Sequence, residues 1–308
     1  GDTSAWRGLL INRLSVYAML AYVEAWKANY VDAEAYTAYV IKNIDTYIKG
    51  SPDYVTIANL VSPTGIFSQE YSNDYKAARL VTFGYRYGTD NANETGTDGH
   101  LESWTLAEPI IRKQLPEIYV PIDTLKNLFM SQFTTDNRFG YDELSKPMKY
   151  YSNYVTGLSR EYPIFSKINV VREGKDNTGD LGVFTSFIIW SRLEDILLLR
   201  AEALVMLNRS EDAINCLNEL RGVRNLRNLS YLKDLKGDAK ALLKEIFRER
   251  RRELMGEGHR WFDRIREART VGDDDAMIKL INEGGIYWPI AEEVIRENPS
   301  ITQNEYWK

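Results

Sequence analysis

The segment Arg192-Leu193-Glu194-Asp195-Ile196-Leu197-Leu198-Leu199-Arg200-Ala201-Glu202-Ala203-Leu204 decides the fold. Leu193, Leu197, Ala201 and Leu204 recur at three- and four-residue spacing, the period of one helix face. The pattern predicts a helix from Ser191 to Leu207. Ala213, Leu217 and Leu220 continue it in a second helix from Ser210 to about Val223. Cys216 lies within this second pattern and reads as a small core hydrophobe.

Working outward, Leu243, Phe247 and Leu254 predict a helix from Asp238 to Met255, and a last helix is expected from near Glu257 to Ala268. At the other end, Trp6, Leu10, Leu14, Tyr17 and Ala21 predict a helix from about Ser4 to Lys27, with Asp2, Thr3 and Ser4 as candidate N-caps. Tyr36, Val40, Ile44 and Tyr47 predict a second from Asp32 to Ile48, joined through Asn29-Tyr30-Val31. Such short joints make antiparallel hairpins. Leu198, Ala201, Leu204, Asn208, Ala213 and Leu217 resemble a tetratricopeptide-type hairpin of about 34 residues.

Between these ends the helical period fades. Gly, Pro, Asn, Ser and Asp become frequent from Gly50 to Pro121. Leu80–Phe83 reads as a short strand, Gly84–Glu102 as a long loop, Ile122–Phe133 as a short helix, and Ile164–Val171 as a strand in an irregular stretch from Asp136 to Asp180. The fold class expected is mainly α: tetratricopeptide-like helix hairpins forming a scaffold, with a large irregular loop-rich region packed on one side.

The bulk composition excludes several classes. The chain has 308 residues, 44% of them apolar, and a net charge of -5, which leaves no basic footprint for nucleic acid. A single cysteine and two histidines give no internal disulfide and no Cys- or His-built metal cluster. No run approaches the roughly 18 apolar residues of a membrane span. A Gly-rich phosphate loop, a His-x-x-x-His pair and a Gly-x-Ser-x-Gly elbow are all missing. With 44 acidic residues, carboxylate pairs are inevitable and single out no catalytic couple. Asp273-Asp274-Asp275 reads as a solvated loop or a helix N-terminus in preference to a metal site. No cofactor is expected.

The last third carries ordered motifs. Residues 192–204 resemble the R-L-x-E-x-L-L-L-x-A-E-A-L helix of the SusD/RagB family, with Glu194 one place early. Leu217-Asn218-Glu219-Leu220-Arg221 is close to its L-N-x-V-R, and Glu249-Arg250-Arg251-Arg252-Glu253-Leu254 to its E-R-R-x-E-L. Gly256-Glu257-Gly258-His259-Arg260-Trp261-Phe262-Asp263 resembles F-E-G-x-R-W-F-D. Trp288-Pro289-Ile290, Asn298-Pro299 and Gln303-Asn304 resemble the closing motifs. Departures are Gly256 for Phe, and Ala291 and Glu305 where Pro is common. In physical terms the Arg250–Arg252 run reads as ion pairing and stem packing, the sharper alternative being a site for an acidic ligand. Trp261-Phe262 is expected to anchor the last helix in the core, with Arg260 and Asp263 capping or pairing locally.

The resemblance implies one SusD-like domain over 1–308 lacking its N-terminal part. It divides into a helix hairpin at 1–49, a loop-rich ligand-face region at 50–190, helix hairpins at 191–268 and a C-terminal segment at 269–308. Without further helices before it, the first helix should bare an apolar side around Leu9, Tyr17 and Leu20. The resemblance also implies a non-enzymatic glycan-binding protein on the outward face of a bacterial outer membrane. Its partner would be a SusC-type TonB-dependent transporter, and its lipid anchor would lie upstream of this chain. Other readings are capture of peptides or glycopeptides by the same fold, an all-helical glycoside hydrolase, and a helical scaffold for a protein partner. The chain is rich in Tyr (20) and Trp (7), side chains that offer flat faces with a polar handle. The ligand site is accordingly expected on Tyr71, Tyr75, Tyr85, Tyr87 and Trp104, in loops where Asp90, Asn91, Asn93 and Asp98 suit sugar hydroxyls.

Overall fold

The computed structural model describes residues 11–47, 54, 79–83, 115–129, 136, 138–142, 149–152, 155–156, 162, 164–165, 171–172, 183–184 and 188–308. The described residues are mainly α-helical. Their helices are α1 (Arg13–Trp26), α2 (Tyr30–Tyr47), α3 (Ile122–Phe129), α4 (Leu193–Met206), α5 (Ser210–Val223), α6 (Ala239–Glu253), α7 (Arg260–Val271), α8 (Asp275–Asn282) and α9 (Glu292–Glu297). Four two-stranded antiparallel ladders accompany them. The longest pairs β1 (Arg79–Phe83) with β8 (Ile188–Arg192), the strand that runs straight into α4. The others pair Phe139–Asp142 with Lys149–Ser152, Val155–Thr156 with Ile164–Phe165, and Val171–Arg172 with Val183–Phe184. Of the strand expected over 164–171, Ile164–Phe165 and Val171 fall in separate ladders, and 166–170 lie outside the described residues.

The first helix begins at Arg13, well after the expected Ser4. Asn12 has extended backbone and forms a reciprocal cap: its side chain accepts the Ser15 N–H at 3.0 Å while Ser15 Oγ accepts the Asn12 N–H at 3.3 Å. The candidate caps Asp2, Thr3 and Ser4 lie outside the described residues, as do Trp6, Leu9 and Leu10. The α1–α2 and α4–α5 turns share one geometry. Ala28 and Asn208 take φ of 62° and 60°, and the next residue donates back to Glu24 O at 2.8 Å or Leu204 O at 2.8 Å.

α4 is the axis of the molecule. The sequence pattern marks one apolar face, but Leu193–Leu199 and Ala201–Val205 are buried on all sides by α1, α2, α5 and α6. Ile196, Leu198 and Leu199 lie off the expected stripe and extend the buried surface round the helix, with Glu194, Asp195 and Glu202 buried among them. The main core joins Leu197, Leu204, Leu217, Leu242, Ile246 and Phe247, and a second cluster joins Leu14, Val40, Ile44, Leu125 and Leu193. Cys216 is buried as expected, and burial pushes its thiol up to about 11. Tyr17 is not bared. Its ring packs on Tyr36 and Tyr39 at 5.4 and 4.2 Å, and the apolar residues of α1 left outward are Val16, Leu20 and Val23.

The last third holds more helix than the pattern suggests. Gly256 and Gly258 take φ of 79° and 85°, so the helix expected from Glu257 starts at Arg260. It ends where Gly272 turns left-handed at φ 76°. Asp274 then caps α8, accepting the Met277 N–H at 3.0 Å, so the Asp273–Asp275 cluster is a helix N-terminus. Among the described residues no group of acids, histidines or cysteines could hold a metal ion, and no helix is long and apolar enough to cross a membrane.

Candidate functional site

Two of the three arginines in the Arg250–Arg252 run turn inward. Arg252 donates to Glu249 at 3.1 Å, Glu245 at 3.2 Å and Leu128 O at 2.7 Å. Glu249 also meets Arg221 at 3.2 Å and Arg138. Glu253 takes Arg138 at 3.0 Å, Arg192 at 2.8 Å and Arg224 at 2.6 Å. Arg138 is held in turn by Asp136 at 2.9 Å, and Arg192 by Glu257 at 2.9 Å. These groups are buried. Burial alone would raise the Glu253 carboxyl, but Arg224, Arg192 and Arg138 overcome it and hold it well below the usual range. Four of the family-like motifs thus supply parts of one lattice: Arg192 and Glu194, Arg221, the trio Glu249, Arg252 and Glu253, and Glu257.

A second buried chain crosses from α1 to α7. Arg250 bridges Asp195 and Asp263, both at 2.9 Å, and donates to the Tyr22 hydroxyl at 3.1 Å. That hydroxyl donates to Asp195 and lies 3.3 Å from His259 Nδ1. Arg266 joins Asp263 at 2.9 Å to Glu202 at 3.0 Å. Asp263 therefore does more than pair locally. Burial raises its carboxyl, and Arg250 and Arg266 more than reverse this, to about 2. Carboxylates this firmly ionised are poor proton donors near neutrality.

Arg251 points elsewhere. It is half-buried and, among the described residues, forms neither an ion pair nor a hydrogen bond. Burial and then Arg260 lower the basicity of its guanidinium, against the pull of Glu267. It lines a cavity of about 500 Å³ between α3, α6 and α7, walled by Ile118, Tyr119, Val120, Met255 and Trp261. Arg251 and Arg260 also line a more polar cavity of about 400 Å³ of mixed charge, with Lys244 and Arg248 on one side of the balance and Glu245, Glu267 and Asp273 on the other. Trp261 was expected in the core with Phe262. Trp261 does pack, half-buried, against the Ile265, Ala268, Met277 and Ile286 cluster, but it also lines the cavity 5.8 Å from the Trp288 ring, and Phe262 is exposed against Trp26. α7 turns Asp263, Ile265, Arg266 and Ala268 inward, which leaves the two aromatics at its rim.

Trp288 is 76% exposed, yet the loop that carries it is pinned. Gln303 accepts from Ile290 N–H at 3.0 Å and donates to its carbonyl at 2.9 Å, and Trp307 Nε1 donates to Tyr287 O at 2.6 Å. The closing motifs are thus a clamp that presents an aromatic ring. The residues expected to bind ligand, Tyr71, Tyr75, Tyr85, Tyr87 and Trp104, all lie outside the described residues, as does the loop 84–102. The cavity was missed as a place. The signal for it was the odd member of an arginine run next to Trp261, which sequence alone cannot orient.

Comparison with known proteins follows the same motifs. The model of the SusD family matches residues 79–277. The chain is similar to a SusD-like protein of Formosa agariphila, 36% identical over 121 residues, which is 38% of this chain and 24% of that one. In structure it is similar to a SusD superfamily protein of Bacteroides thetaiotaomicron, 44% identical with a TM-score of 0.79, covering 98% of this chain and 60% of the other. A SusD homolog of the same organism shares the fold at 22% identity and a TM-score of 0.67, over 98% of this chain and 61% of that one. The chain therefore spans less than two thirds of these solved relatives. With that match over well more than half its length, the chain belongs to the SusD family.

Proposed function

We propose that this protein captures glycans without chemical turnover and passes them to a SusC-type TonB-dependent transporter at the outward face of a bacterial outer membrane. Family membership carries this reading, since the match spans β8 and the helices α3 to α7. The buried carboxylates support its non-enzymatic part: Asp195, Glu249, Glu253 and Asp263 are each committed to arginine. In this reading the paired hairpins are tetratricopeptide-like, the twin turns at Ala28 and Asn208 supporting the comparison. The region 50–190 is the main ligand face, with Tyr71, Tyr75, Tyr85, Tyr87 and Trp104 as its stacking residues, and membrane attachment comes from a lipid anchor upstream. The test is a glycan and peptide panel assayed for both binding and products. Retention of a glycan with no product supports the reading. Selective peptide retention, or turnover abolished by one Asp or Glu substitution, overturns it.

A further inference from the structure

Arg251 poses a physical problem that the rest of α6 does not. Its neighbours Arg250 and Arg252 are buried against carboxylates, as a desolvated guanidinium requires. Arg251 is half-buried with no such partner, and the charges nearest it are largely cations: Arg260, Arg248 and Arg264 against Glu267. Glu267 is already paired with Arg260 at 3.3 Å. An uncompensated cation in a walled cavity is a receptor for an anion.

The rest of the cavity defines what carries that anion. Its floor is apolar, from Ile118, Val120 and Met255, and one wall is Trp261, which continues at 5.8 Å into the exposed Trp288. The volume of about 500 Å³ is that of a small-molecule site, too narrow for a folded domain. Trp288 is held by its clamped loop, so its ring is offered without a large loss of freedom on binding. A flat, partly apolar ring bearing an acid matches both halves of this surface.

We propose that the cavity between α3, α6 and α7 binds an acidic sugar residue, its carboxylate or sulfate on Arg251 backed by Arg260 and its ring against Trp261, with Trp288 extending the platform to the next residue. The proposal rests on the glycan-capture reading and narrows it to anionic glycans. Carboxylate and sulfate share the chemistry of a guanidinium partner, so both are tested.

Binding is measured by calorimetry on this chain with three probes: tetragalacturonate for carboxylate, a sulfated carrageenan tetrasaccharide for sulfate, and neutral maltotetraose. At least one acidic probe is expected to bind roughly tenfold or more tighter than the neutral one, as a charge-assisted contact provides. R251Q should remove about that factor, R251K should keep most of it, and W261A should weaken binding roughly tenfold. R227Q, on an exposed pair with Asp234, should change nothing. Thermal melts confirm that each variant is folded. Neutral and acidic probes binding equally, or acidic binding indifferent to both R251Q and W261A, overturn the proposal and leave glycan capture standing. Should no probe bind, glycan capture itself fails for this panel. Phenylglyoxal modification at Arg251, read by peptide mass spectrometry, then decides: slowing by millimolar glucuronate or sulfate sustains the anion site, and no slowing overturns it.

Discussion

Arg250 and Arg251 are adjacent on α6, about 100° apart around the helix. One is sealed among Asp195, Asp263 and Tyr22, and the other stands unpaired at a cavity wall. The same side chain therefore marks a framework on the inner face and a receptive surface on the outer face. The difference is one of partners. On the inner face Arg250 meets Asp195 of α4 and Asp263 of α7, so that face is fixed by long-range assembly. On the outer face the partner is left open.

If this contrast is right, the two faces should respond oppositely to substitution. The largest effect is expected for E253A, which takes a carboxylate from the buried Arg138, Arg192 and Arg224 at once. Removing one member of such a buried lattice should cost about 3–5 kcal/mol, read as a lower denaturant midpoint at unchanged slope. Replacement of Glu253 with little loss would show that the lattice is wet.

Acid should act on the same inner face. The Asp263 carboxyl is lowered from 3.8 to about 2 in the folded protein, so its stabilisation is fully present above about pH 4 and is lost as pH falls toward 2. Asp263 alone would account for about 2 kcal/mol, and Glu253 and Glu249, also lowered, add in the same direction. Unfolding followed from pH 6 to pH 2 should therefore steepen below pH 4, and D263N should flatten that slope. R251A should stay within about 0.5 kcal/mol of the parent in melting, as expected for a side chain with no structural partner. A large drop there would place Arg251 in the framework after all. A modest effect of the opposite sign is expected at the α1–α2 turn. Ala28 holds φ 62°, and A28G should raise stability by about 0.5–1 kcal/mol, whereas N208G should gain less because Asn tolerates that conformation.

What the sequence made legible follows this division. Periodic helices such as α5 emerge at their observed bounds, because their apolar spacing is local information. The motif residues were readable as ion-paired, yet not which ion met which. Glu249 and Arg138 are 111 positions apart, and no spacing rule connects them. α4 was half legible: its face was marked, and its complete enclosure was written in Ile196, Leu198 and Leu199, which a single-face reading passes over. Phe262 was misjudged because large aromatics usually bury; here the inward positions of α7 went to Asp263 and Arg266. The stacking residues expected between Tyr71 and Trp104 rest on the composition of their loops alone.

Arg138 reaches Glu253 across 115 residues of chain. Closing so long a loop adds only slowly to the entropy lost, but contacts of such separation form late and slow the search for the native state. Until that guanidinium arrives, Glu249 and Glu253 each lack one of their three arginines, and water can take its place. The docking of Asp136 and Arg138 thus completes the lattice on Glu249 and Glu253. A ribosome that has not yet released the C-terminal helices, or a protease that nicks the chain between 138 and 188, would leave the same hydrated, half-made lattice behind.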